Sequence, residues 1–207
     1  MAAKVKQFAI ASRWASVYER ETEASFLPNG ALAILMLIAS EMMLFSGLIG
    51  PFLVYKGTAP FWPPPNLPRL PVFVTSINTA VLLLSAVTMF LAVRAVGRNQ
   101  RRLLRRYLTV TGVLGVTFLT VQGSEWVSLL RHGLRLSSGT YGATFYTLIG
   151  CHAAHVTAAV IWLSAVVIRA FQGRYGVRNA SPVQICAMYW YFVCAVWPIL
   201  FVLVYLP

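Results

Sequence analysis

Five long apolar runs constrain this chain more than any other feature. They fall at roughly 30–55, 72–94, 107–130, 141–169 and 184–206. Each is long enough to cross ~30 Å of hydrocarbon at about 1.5 Å per residue. Backbone polar groups in lipid must be satisfied within their own segment, so each run is expected to be a helix. The apolar residues fill these runs rather than lining one face of them. Only 11% of the 207 residues are charged and 58% are hydrophobic, against about 25% charged in a soluble domain. The expected fold is all-α: a polytopic transmembrane bundle of five helices, forming a single integral-membrane domain over residues 1–207. Residues 1–29 are polar and charged and do not resemble a cleaved leader.

The net charge of +12 does not point to nucleic acid, because the basic residues lie between the apolar runs and act there as topology signals. The N-terminal segment, the 94–106 connector and the 169–183 connector carry thirteen Lys/Arg, against four in the 56–71 and 131–140 connectors and the C-terminus. That asymmetry predicts the N-terminus inside and the C-terminus outside. Arg94, Arg98, Arg101, Arg102, Arg105 and Arg106 are topology anchors by this reading, and Arg94 and Arg98 can also meet anionic lipid head groups. Residues 4–18 suit a short amphipathic helix on the inner surface, with Phe8, Ala11, Trp14 and Tyr18 on one face. The Pro-rich connector from Pro60 to Pro71 is expected to be extended and outside the lipid.

The polar residues inside the runs carry the functional signal. The chain has five acidic residues and no Asp, and Glu19, Glu21 and Glu23 all precede the first run. Glu41 lies within it, although a carboxylate in hydrocarbon costs ~2.5–3.5 kcal/mol. Counting along the helices places Glu41 and His152 each about 16 Å from their membrane edges, with His155 one turn deeper. Cys194, with Tyr191 three residues before it, is also near the middle. A polar layer is expected inside the bundle, Glu41 facing the His152/His155 side of the fourth helix; the alternative is that each group bonds a nearby carbonyl or a lipid by itself. Glu125 follows Gln122 by three residues near the outer end of the third run, beside Trp126. It reads either as a snorkelled interfacial carboxylate or as a proton-accessible or subunit-contact acid. Ser46, Gly47, Gly50, Gly112 and Gly115 are expected at close helix contacts.

Cys151, His152 and His155 invite a metal reading. However, adjacent residues point about 100° apart on a helix, Cys186 lies near the inner edge, and His132 lies in an outer connector. No metal site is expected. Axial haem ligands must oppose one another, whereas His152 and His155 share one face of one helix. No nucleophile constellation and no phosphate-cradling glycine loop is present, so no catalytic residue is assigned. Three cysteines in or beside apolar runs argue against a disulfide framework.

Five motifs, in order along the chain, then resemble one family. Ser40-Glu-Met-Met-Leu-Phe-Ser-Gly47 resembles the Ser-Glu-x-x-x-Phe segment of subunit III of haem–copper oxidases. Asn78-Thr-Ala-Val-Leu-Leu-Leu-Ser85, after the Trp62-Pro-Pro-Pro65 loop, is similar to that family's Asn-Thr-x-x-Leu-Leu-x-Ser. Gln122-Gly-Ser-Glu125-Trp126, Phe145-Tyr-Thr-Leu-Ile-Gly150-Cys-His152-Ala-Ala-His155-Val and Tyr189-Trp-Tyr-Phe-Val-Cys-Ala-Val-Trp197 resemble its remaining motifs. The resemblance covers nearly the whole chain and fits the short form with five helices. It implies a non-catalytic subunit of a respiratory terminal oxidase in a bacterial cytoplasmic membrane. Such a subunit packs on catalytic subunit I beside other oxidase subunits, binds phospholipid, and supports proton uptake and the stability of the core. No cofactor is expected in this chain; haem and copper belong to the partner. By position Glu41 matches the family's buried acid, and His152 and His155 match its histidine pair, also candidates for lipid head groups with Arg94 and Arg98. The electron donor, cytochrome c or quinol, stays open. So do a subunit-III-like accessory protein of a nitric oxide reductase and, from a different class, a small membrane transporter. Three departures stand out: Tyr191 and Cys194 replace a His and an Asp, and Ile149 replaces a Thr.

Overall fold

A computed structural model describes residues 29–62, 64 and 70–206. Residues 4–18 and half of the Pro-rich connector lie outside the described residues. The described residues form five long helices: α1 Asn29–Thr58, α2 Val72–Gly97, α3 Arg101–Arg131, α4 Gly139–Phe171 and α5 Ser181–Tyr205, with a 3-10 turn at Val177–Asn179 before α5. All five are long and apolar enough to cross a membrane.

The helices outrun the apolar segments. The arginines at 101, 102, 105 and 106 form the first turns of α3, and only Arg98–Gln100 separates it from α2. Hydropathy ends at the hydrocarbon edge, but a helix can continue into the polar head-group zone, where its charged side chains are solvated. The turns are closed by backbone geometry. Asn99 adopts φ 55°, and Gln100 N–H donates to Ala95 O at 2.9 Å while Asn99 N–H donates to Val96 O at 3.1 Å. Gly133 (φ 93°) ends α3 in the same way, with Leu134 N–H bonded to Leu129 O at 3.0 Å. These are Schellman caps, which satisfy carbonyls that the helix leaves free.

α2, α3, α4 and α5 pack as a ring, each against its two neighbours, and α1 lies outside it against α4 and α5. Half of the most apolar stretch of α5 is buried, against 11% of that of α1, so α5 is the centre of the bundle. Trp190 and Trp197, seven residues apart on one face of α5, fill the ring and are 1% and 0% exposed. Trp190 Nε1–H donates to Ser85 Oγ of α2 at 3.1 Å, and Trp197 Nε1–H donates to Thr79 Oγ1 of α2 at 2.9 Å. Phe118 of α3 meets the Trp197 ring edge-on at 4.9 Å. Buried indoles need such acceptors.

Gly115 of α3 is the small residue that this packing requires, since a Cβ there would lie 2.5 Å from the Trp190 ring. Ser46, Gly47 and Gly50 instead face outward on α1, and a Cβ on Gly47, Gly50 or Gly112 would meet nothing within 4 Å among the described residues. α1 approaches its neighbours with other faces, so these small residues do not mark contacts within the bundle. Gly115→Val is therefore expected to destabilise the bundle by about 1–3 kcal/mol through overpacking, whereas Gly112→Ala is close to neutral; thermal unfolding of the purified chain measures both.

Candidate functional site

Glu41 on α1 and His155 on α4 meet across the groove between their helices. Glu41 Oε2 lies 2.6 Å from His155 Nε2, and both side chains are 17% exposed. His155 Nδ1 lies 2.6 Å from the carbonyl oxygen of Cys151, one turn earlier. A carbonyl only accepts, so Nδ1 carries a hydrogen and Nε2 is the nitrogen turned to Glu41. Glu41 Oε2 has no aligned hydrogen-bond donor among the described residues, so closeness rather than hydrogen-bond direction defines the contact. Chemically, the two groups can meet as an imidazolium–carboxylate pair or as a neutral imidazole beside a protonated acid. Phe45, one turn after Glu41, packs its ring 5.3 Å from His155, 6.1 Å from His152 and 6.4 Å from Phe192. It walls the pair off from the interior.

The single polar layer expected from depth divides into separate groups. His152 is 1% exposed and does not reach Glu41. Its ring stacks on Trp197 at 5.1 Å and 26°, and neither nitrogen has a partner among the described residues. Cys194 faces α2, with Sγ 3.8 Å from both Ser85 Oγ and Leu82 O. It lies between Trp190 and Trp197 in sequence, and the rotation that aims the two indoles at α2 carries it along. The Tyr191 hydroxyl has no partner among the described residues.

Glu125 is not a snorkelled surface acid: it is 7% exposed. Thr75 Oγ1 of α2 lies 3.2 and 3.0 Å from its two carboxyl oxygens, and Gln122 Nε2–H donates to Oε2 at 3.2 Å and to the Tyr205 hydroxyl at 3.0 Å. Thr75 of α2 and Gln122 of α3, the latter itself bonded to Tyr205 of α5, hold it inside the bundle. A cavity of about 380 Å³ opens beside it, between Pro71, Ser124, Ser128 and His132.

Two basic residues tie helix ends together. Lys56, in the last turn of α1, donates to Leu203 O at 3.1 Å and Leu206 O at 3.0 Å at the end of α5. Arg105 Nε–H donates to Ala170 O at 3.1 Å in the last turn of α4. Cations suit these positions because helix C-termini carry free carbonyls and partial negative charge. At the α2–α3 turn, Arg94, Arg98, Gln100 and Tyr107 line a cavity of about 370 Å³. The Arg94 guanidinium lies 5.6 Å over the Phe90 ring.

The histidines do not fit a haem or a copper centre. Both nitrogens of His155 face Cys151 O and Glu41, and His152 is enclosed between Trp197 and Phe45. Among the described residues no three His, Cys, Asp or Glu side chains converge. Enclosure also takes the His152 ring away from any lipid head group.

The family model described as cytochrome c oxidase subunit III matches residues 19–207. A cytochrome c oxidase subunit 3 of Synechocystis sp. is 30% identical over 174 residues, covering 84% of this chain and 73% of that protein. Its counterpart in Thermostichus vulcanus is 30% identical over 176 residues, 84% of this chain and 86% of the relative. A probable cytochrome c oxidase subunit 3 of Mycobacterium tuberculosis is 31% identical over 169 residues, 81% and 83% of the two chains.

If the Glu41–His155 contact is a proton-sharing pair, His155→Leu leaves a carboxyl facing lipid alone and is expected to cost about 2–3 kcal/mol. Adding Glu41→Leu should recover most of that loss. Thermal unfolding of the two single variants and the double variant reads the coupling.

Proposed function

The chain belongs to the cytochrome c oxidase subunit III family, and from that premise we propose how it serves the oxidase. It is a non-catalytic subunit III of a haem–copper oxidase. In this reading it packs on the catalytic subunit, which holds the haem and copper, and it sustains proton uptake and the durability of that core. One observation carries the proposal: the Glu41–His155 pair. It holds one exchangeable proton at mid-membrane depth on a helix whose other ties to the bundle are few. His155 is held through Nδ1 by Cys151 O, with Nε2 2.6 Å from Glu41 Oε2, so a small rotation of either side chain aligns the two for proton exchange. Phe45 keeps the exchange out of the bundle core and directs it to the outside of the groove.

Other features fit the same role. Arg94 and Arg98, at the mouth of a cavity beside an arginine-rich turn, suit the phosphate of a membrane phospholipid. α1 presents Leu32, Met36, Met43 and Val54 outward, an apolar face for the catalytic subunit or for lipid. The relatives are bacterial oxidase subunits, which favours a bacterial cytoplasmic membrane, a cytochrome c donor and an oxidase over a nitric oxide reductase. The charge asymmetry of the connectors supports an N-terminus inside.

Purification through a tag on this chain tests the assignment. The expected result is copurification with a haem- and copper-bearing core that reduces oxygen, together with phospholipid, while the separated chain has no haem absorption. Haem bound to the separated chain, or a core that reduces nitric oxide and not oxygen, would contradict it.

A further inference from the structure

Glu125 is the second carboxyl within the spans, and the role proposed for Glu41 makes no use of it. It lies six residues before the end of α3, about 9 Å at 1.5 Å per residue, at the end of the bundle opposite the α2–α3 turn. Its surroundings accommodate it with and without a proton. Thr75 Oγ1 is 3.0 Å from Glu125 Oε2 and also 2.8 Å from Pro71 O. A hydroxyl has one proton to donate and can accept others. With Glu125 ionised, Thr75 donates to the carboxylate. With Glu125 protonated, the acid donates to Thr75 Oγ1, and Thr75 turns its own proton to Pro71 O. That carbonyl also accepts from Thr75 N–H at 3.1 Å, so it is satisfied in both states. The change needs only rotation of one hydroxyl. Gln122 Nε2 serves Oε2 in either state while bound to Tyr205.

The groups that face Glu125 are few. α2 contributes Thr75, α3 contributes Gln122 and, across the cavity, His132, and α5 contributes Tyr205; α4 brings Tyr141 to the same end. No cation among the described residues lies within ion-pair distance of Glu125. The cavity of about 380 Å³ is lined by Pro71, Ser124, Ser128 and His132 as well as by Glu125. His132 and both serines are exposed, so the cavity reaches the surface. A water molecule occupies ~30 Å³, so the cavity has room for several. The site shares no residue with the Glu41–His155 pair, which bridges α1 and α4.

We propose that Glu125 is a second proton-binding site, which exchanges its proton with the aqueous phase at the α3–α4 end of the bundle. Water in the cavity delivers the proton, and Thr75 reorients to receive it. The step is a plain protonation: a proton leaves water, an O–H bond forms on Glu125, and no electron moves. The site does not depend on which complex the chain joins.

Infrared difference spectroscopy of the intact complex in nanodiscs, stepped in pH and in deuterium oxide, tests the proposal. Expected is a C=O band of one protonated carboxyl that vanishes in Glu125→Gln and shifts in frequency in Thr75→Val. A difference spectrum unchanged by Glu125→Gln would overturn the proposal. Should that variant fail to assemble, a carboxyl band that Thr75→Val leaves unshifted would overturn it equally. Ser128→Leu, which fills the cavity, should slow deuteration of the band by about tenfold, equivalent to ~1.4 kcal/mol on the exchange barrier. An unaltered rate would overturn the cavity as the route.

Discussion

A polar side chain inside a bilayer has to find its partner within the protein, and in this bundle the two indoles of α5 set the pattern for the rest. Trp190 and Trp197 donate to Ser85 and Thr79 of α2. These bonds fix the rotation of the central helix. Cys194 follows the indoles toward α2, and His152 of α4 is stacked against Trp197. α3 can close the ring only because Gly115 leaves room for the Trp190 ring. The four-helix ring is thus a framework of aromatic packing with hydrogen bonds at its centre.

α1 stands outside that framework and depends more on individual ties. Little of it is buried, and among the described residues its polar attachments are Glu41 to His155 near the middle of both helices and Lys56 to the carbonyls at the end of α5. An attachment in the middle of the membrane is an expensive place for a carboxyl unless a partner shares its charge or its proton. In the proposed reading the same contact does two jobs. It holds a loosely packed helix to the bundle, and it keeps an exchangeable proton at a groove that opens away from the core. In that reading it is the physical basis on which the subunit supports a neighbour that consumes protons.

The five spans were legible because apolar length directly reports helices in lipid. The meeting of α1 and α4 was approachable too, since counting residues puts Glu41, His152 and His155 at similar depths. Counting could not choose between the histidines. They differ by three positions on one helix, and Phe45 together with Trp197 decides which of them faces Glu41. Depth could not tell which helix Cys194 faces for a related reason: the hydrogen-bond demand of two indoles sets the rotation of α5. Glu125 looked interfacial because it is near the end of a span. Its partners Thr75 and, through Gln122, Tyr205 come from positions 50 and more residues away in sequence, and no local pattern signals them. The arginines of α3 read as a connector because hydropathy cannot see a helix that continues past the hydrocarbon.

The central claim is that Glu41 sustains the working core through its pairing with His155. The most direct test is the catalytic lifetime of the purified oxidase carrying Glu41→Gln in this chain, followed as oxygen uptake over time from about pH 6 to about pH 9, a range bracketing ordinary working conditions. The account predicts an assembled complex with its normal haem content that turns over more slowly or inactivates sooner than the native one, most clearly at alkaline pH. Turnover and lifetime indistinguishable from native across that range would contradict it.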